Sequence, residues 1–143
     1  MENKLTGIIL NLILLGMVVI LGLIVYWSVR KYEIIDYGQG HLQTTKQVYE
    51  VGEPLTYRSN FCKTGDYSST IIRTLRDGVI YLFPVIVSKS EEGCYDFIST
   101  TTETPNVPSG TYVFETEVIY KVNPLKEVTY HYKSNEFEIV NDN

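Results

Sequence analysis

The chain has 143 residues and a formal net charge of −5, which leaves room for about one domain and an appendage. The charge is unevenly divided: from Tyr32 onward 9 basic side chains stand against 16 acidic ones. A body so acidic repels nucleic-acid phosphates instead of neutralising them, which argues against a nucleic-acid partner. The acidic residues are spread along the chain, so they read as a solvated surface and not as an acidic tail.

The first element is a run of 25 residues, Leu5 to Val29, without Asp, Glu, Lys, Arg or His. About 20 apolar residues suffice to cross a bilayer as a helix. A secretory signal has an apolar core of only about 7–15 residues and a small-residue cleavage site. This run contains no Ala and leads into bulky Tyr26, Trp27 and Val29, so it is expected to be retained as an anchor that contacts lipid through residues 5–29. Tyr26 and Trp27 fall where an interfacial aromatic belt is expected, and Arg30 and Lys31 follow at the headgroup level. Gly7, Asn11, Val18 and Gly22 share one helical stripe. Asn11 is open to two readings. It is a polar residue tolerated near the boundary, or, with Gly7 and Gly22, part of a contact through which anchors associate into a homo-oligomer.

Residues 1–31 are thus read as a cytoplasmic stub and transmembrane helix, and residues 32–41 as a short spacer containing Gly38 and Gly40. From residue 42 to residue 143 the apolar period changes to two. Candidate strands are TTKQVYEV, LTYRSNFC, TIIRTLR, VIYLFPVIV, CYDFISTTT, TYVFETEVIYKV, EVTYHYK and EFEIV, separated by turn residues such as Asp77-Gly78 and Asn123-Pro124. Pro84 demotes part of its strand to an edge or a bulge. The clearest alternation places Tyr112, Phe114, Thr116, Val118, Tyr120 and Val122 on one face, the pattern of a half-buried antiparallel strand. Roughly seven strands at intervals of about 8–12 residues predict an all-β, antiparallel sandwich behind one N-terminal transmembrane helix.

The segment Ser109-Gly110-Thr111-Tyr112-Val113-Phe114 resembles the turn and tyrosine that open strand F of immunoglobulin-like domains. The resemblance implies a tyrosine corner, with the Tyr112 hydroxyl bonding back to the backbone. It also implies a tendency to bind proteins. The chain departs from the antibody class, because Phe114 stands where that class has Cys and Trp27 is the only Trp. It is closer to the broad immunoglobulin-like and fibronectin-like sandwiches, over about residues 42–141.

Cys62 ends one candidate strand and Cys94 begins another. If those strands are antiparallel neighbours, the two thiols meet on the face opposite the large aromatics. A disulfide there needs Cα atoms within about 7 Å and an oxidising compartment. The alternative is two unrelated free thiols. Zinc ligation by Cys62, Cys94, His41 and His131 is disfavoured, because their spacing matches no paired-ligand pattern. No motif surrounds Cys94 and His131 to make them nucleophile and base, no cofactor-binding loop is present, and acidic pairs such as Glu115 and Glu117 read as solvated.

The 12 tyrosines suit half-buried strands, with ring inside and hydroxyl at the rim. Tyr67, Tyr81 and Tyr95 are kept as candidates for a protein-binding face. The expectation is a noncatalytic membrane-anchored binding or structural subunit of an envelope, appendage or virion assembly, with protein subunits as partners. The N-terminus is expected in the cytoplasm and the head in the periplasm or at the cell or virion surface. A ligand- or glycan-sensing head is the alternative, and a membrane-tethered enzyme stands third.

Overall fold

The computed structural model describes residues 2–36, 42–102 and 106–141. Helix α1 covers Glu2–Val29, and its apolar part, Thr6–Val29, is 24 residues long with a mean hydropathy of 3.1. At about 1.5 Å per residue that part reaches roughly 36 Å, enough to cross about 30 Å of hydrocarbon with some tilt. The most apolar 18-residue window of this helix is not buried by the rest of the described chain.

Behind the helix lie two packed β-sheets. In the first, β1 (Ile35–Asp36) and β2 (Leu42–Thr44) run along one edge of β4 (Thr56–Lys63), and β8 (Gly93–Thr100) pairs with the other edge. The second runs β3 (Val48–Glu50), β10 (Lys126–Val140), β9 (Gly110–Asn123), β5 (Ser69–Asp77) and β6 (Val79–Leu82), with β7 (Ile86–Ser88) continuing the edge of β5 beyond β6. Every pairing is antiparallel except that of β3 with β10, which is parallel. That parallel pair departs from the antiparallel expectation.

The ten strands among the described residues differ from the expected seven for local reasons. The stretch TTKQVYEV divides: β2 stays on the first sheet, the chain bends at Thr45 to Gln47, and β3 joins the second. The stretch VIYLFPVIV divides at Pro84, which has no N–H for the ladder, although Phe83 still donates its N–H to the Arg73 carbonyl at 3.0 Å. The last two candidates fuse instead. β10 carries a register shift between Lys133 and Glu136. There the Ser134 hydroxyl accepts the Phe114 N–H at 3.0 Å, and the Asn135 side-chain oxygen accepts the Thr44 N–H at 3.0 Å. The Ser134 side chain thus supplies a ladder bond that the bulge removes, and Asn135 ties the bulge to β2 of the other sheet. The segment read as a spacer begins as ordered chain: Ile34 is buried and Ile35–Asp36 pairs with β4. Its glycines and His41 lie outside the described residues.

The core lies between the sheets. Leu75, Tyr112, Phe114, Phe137 and Ile139 are almost fully enclosed, and the Phe114 ring meets Tyr57 at 4.9 Å and Phe83 at 5.7 Å. Alternation accounts for the enclosure, since inward positions of β9 and β5 share one face of a continuous ladder. Gly78, with φ of 64°, makes the turn between β5 and β6 in a conformation that a side chain disfavours.

Candidate functional site

Where the first sheet is three strands wide, the second is five, so they do not cover each other completely. One side of the head is left with two unpaired edges, β8 on the first sheet and β6–β7 on the second. The β6–β7 stretch from Val79 to Ser88 holds no charged residue. Its Val87 and Leu82 are 75% and 69% exposed, and Ile98 on β8 is 66% exposed. Free edges in soluble proteins are normally guarded by charge, proline or a covering segment. Here Pro84 interrupts the edge, and the apolar side chains remain uncovered.

Between these edges a cavity of about 170 Å³ enters the space between the sheets. Phe61, Tyr95 and Phe97 line it from the first sheet, and Ile71, Val118 and Tyr120 from the second. Phe97 points inward, yet it stays 43% exposed because no strand stands beyond β8. The polar wall consists of hydroxyls, including Ser69, Ser88, Ser90 and Thr116. The Thr116 hydroxyl is buried and has no hydrogen-bond partner. Burial also raises the Tyr120 phenol above its ordinary pKa, so this wall stays uncharged at neutral pH.

Lys63 stands beside this cavity. It is 2% exposed, and its ammonium donates to the Tyr67 carbonyl at 2.7 Å, to the Ser90 carbonyl, and to the Ser90 hydroxyl at 3.3 Å. It also lies 5.8 Å from the centre of the Tyr120 ring. Burial lowers its pKa below the usual lysine value. Three oxygen acceptors and an aromatic face replace the water that the ammonium gives up. The β4–β8 alternation turns Lys63 inward as it turns Cys62 outward, and sequence reading overlooked it.

The outer face of the second sheet carries charge instead. Glu115 accepts from Lys133 at 2.9 Å and faces Arg76 at 3.5 Å. The Lys133 hydrogen bond, with Arg76 adding, holds the Glu115 carboxyl below the usual carboxylate range. Glu115 is therefore half-buried and paired, where the sequence suggested free solvation. His131 is exposed, 3.9 Å from Glu117.

Cys62 and Cys94 lie directly opposite each other on β4 and β8 and form a disulfide, with Cα atoms 3.9 Å apart. On the same face Arg58, four residues from Cys62, donates through Nε to Asp96, two residues from Cys94, at 2.8 Å, a diagonal cross-strand pair. The Tyr112 hydroxyl donates to the Pro108 carbonyl at 2.8 Å. Tyr67, Tyr81 and Tyr95 are each half-buried: Tyr67 packs on the core, Tyr81 meets Tyr112 at 6.2 Å, and Tyr95 lines the cavity while donating to the Glu91 carbonyl at 2.8 Å. Of these three, Tyr95 alone lies at the cavity; Phe97 is exposed at the cavity mouth, while Leu82 and Val87, opposite Thr74 and Thr70, are exposed on the outer face of the second sheet's edge.

On the helix, Gly7 and Gly22 have open space around them, and Asn11 is exposed. At its end Arg30 donates to the Tyr26 hydroxyl at 2.9 Å and packs over the Tyr26 and Tyr32 rings at 5.7 and 5.3 Å. Trp27 is half-buried and Lys31 exposed. Among the described residues no group of three or more His, Cys, Asp or Glu is placed to hold a metal ion. Neither a protein-family model nor a curated protein sequence matches the chain.

Proposed function

We propose that this chain is a noncatalytic, membrane-anchored binding or structural subunit of a larger assembly. The observation that carries the reading is the uncovered side of the head, where two unpaired strand edges flank an aromatic cavity. Unpaired backbone groups at strand spacing are matched best by another extended chain, and exposed aliphatic side chains favour a protein over water. The disulfide favours an oxidising space for the head, hence a cytoplasmic N-terminus and a head at an envelope, cell or virion surface.

An immunoglobulin-like ancestry of the head is part of this reading. Its support is the leading segment that divides between both sheets, the β10–β9–β5–β6 order, and the Tyr112 bond to Pro108. The helical stripe of Gly7, Asn11 and Gly22 offers a route to association between anchors.

The test is gentle solubilisation of the full chain from its host membrane, followed by sizing and mass spectrometry of the isolated complex. The parent chain should carry a stoichiometric protein partner, and Leu82→Lys with Val87→Lys should release it while the disulfide and strand content persist. A clean parent monomer, or a complex indifferent to both substitutions, refutes the reading. The cavity supports a second reading, a small apolar ligand held between the sheets. Under that reading the isolated parent is a monomer that retains a small molecule in native mass spectra.

A further inference from the structure

The helix end and the head meet at one place, the turn that joins β9 to β10. Asn123 Nδ2 donates to the Trp27 carbonyl at 3.4 Å. Lys126 Nζ donates to the Ser28 carbonyl at 3.2 Å and to the Arg30 carbonyl at 2.7 Å. The last carbonyls of a helix have no partners within it, and α1 has no basic residue in its own last turn. The head supplies the missing donors from a segment almost a hundred residues away in sequence, and a cation there also suits the helix dipole. The turn is itself fixed, because the Leu125 N–H donates to the Asn123 side-chain oxygen at 2.9 Å.

This geometry sets the height of the turn. Trp27 stands at the end of a helix that can span a membrane, and aromatic residues at such ends lie in the interface. The interfacial zone is roughly 5–8 Å thick on each side of the hydrocarbon. The ends of a four-residue turn lie within about 7 Å of each other, so Leu125 shares the level of Trp27 to within that thickness. Leu125 is 55% exposed, and the neighbouring cations are Lys126, Arg30 and Lys31.

We propose that the β9–β10 turn, Asn123 to Lys126, is a second membrane-contacting element, which inserts Leu125 into the lipid interface while Lys126 holds the turn against the end of α1. The proposal rests on the reading of α1 as an anchor. Its occupant is the lipid surface, because the contact continues the one that the anchor already makes. An exposed leucine flanked by cations is the side-chain pattern of interfacial elements. The head then sits directly on the bilayer, in a fixed orientation, instead of swinging on a tether.

Trp27 is the chain's only tryptophan, which makes fluorescence a clean probe. The full chain is placed in phosphatidylcholine vesicles containing lipid brominated near the headgroup, and quenching is compared with quenching by aqueous iodide. The variants are Leu125→Trp and Val79→Trp, each in a Trp27→Phe background. Val79 lies beside the Gly78 turn, at the opposite end of the sheet from Lys126. The expected result is bromolipid quenching of the residue-125 tryptophan equal to that of Trp27 in the parent, with blue-shifted emission and loss of iodide quenching, while the residue-79 tryptophan behaves in the opposite way. Iodide quenching at 125 without bromolipid quenching, with Trp27 still lipid-quenched, overturns the proposal. Failure of Trp27 itself to be quenched by bromolipid overturns the anchor reading instead. Should Leu125→Trp not retain the disulfide, Pro124→Trp in the same exposed turn gives the same two outcomes.

Discussion

Replacing both Cys62 and Cys94 with alanine opens a loop whose ends are 32 residues apart. On the chain-entropy model, closing such a loop removes about 3.5–4 kcal/mol of disorder from the unfolded state. The packing contribution is small, because Cys94 is exposed and Cys62 only half-buried, so alanine leaves no cavity of the kind that makes core truncations costly. Arg58 and Asp96 keep their pairing on the same face, which preserves the β4–β8 register. The folded head is therefore expected to persist with nearly its whole penalty set by the loop. Urea unfolding of the full chain in detergent, followed by the strand signal in circular dichroism, measures this. With a slope of about 1–3 kcal/mol per molar urea, typical of small proteins, the midpoint should fall by roughly 1–4 M. Reduction of the parent with dithiothreitol should give the same shift. A double variant that unfolds at the parent's midpoint refutes the reasoning, as does one that loses its strands in the absence of urea.

Other outcomes follow from single contacts. Phe114→Ala empties a fully enclosed site and should cost about 3–5 kcal/mol by the same urea assay. Tyr112→Phe removes the hydroxyl that reaches the Pro108 carbonyl and should cost about 0.5–1.5 kcal/mol, with a smaller effect for Tyr95→Phe, whose bond to Glu91 lies at an exposed turn. Because Lys133 and Arg76 depress the Glu115 pKa in the folded head, the ionised form contributes stability above the unfolded carboxylate value. That contribution disappears as pH falls through the depressed folded value. Glu115→Gln should flatten this part of the stability-versus-pH curve, and an unchanged acid limb would show that the pair contributes nothing. Lys126→Ala removes two donors from the end of α1 and should speed amide hydrogen exchange around residues 27–35 while leaving the β5–β9 ladder protected.

Much of this molecule is written in local patterns. The uncharged run from Leu5 to Val29 specifies a helix for an apolar medium, because length and polarity are properties of a segment taken alone. The alternation through Tyr112, Phe114, Val118 and Tyr120 likewise specifies which face of β9 is buried, since the period of two is built into an extended chain. The placement of Cys62 and Cys94 on facing strand ends could be read in the same way, and they do pair. Other interactions that join distant segments were not legible. Nothing local tells Val48–Glu50 to leave the first sheet and run parallel to Glu138–Val140, and nothing marks Ser134 and Asn135 as a bulge instead of a break. Pro84 marked part of the VIYLFPVIV stretch as an edge or a bulge, but the exposure of its apolar side chains was not legible, because an apolar strand looks the same in sequence whether or not a neighbour covers it.

The sequence by itself determined a helix long and apolar enough to span a membrane and an acidic β-head, together with the inward face of each long strand. Tertiary structure alone decided which strands became neighbours, and so where an edge and a cavity were left open, how Lys63 came to be buried, and which turn reaches back to close the end of α1. The physical reason is that face and solvent follow from a side chain's own polarity and spacing. A neighbour across a sheet is chosen by the competition of all segments for the same hydrogen bonds and apolar surface.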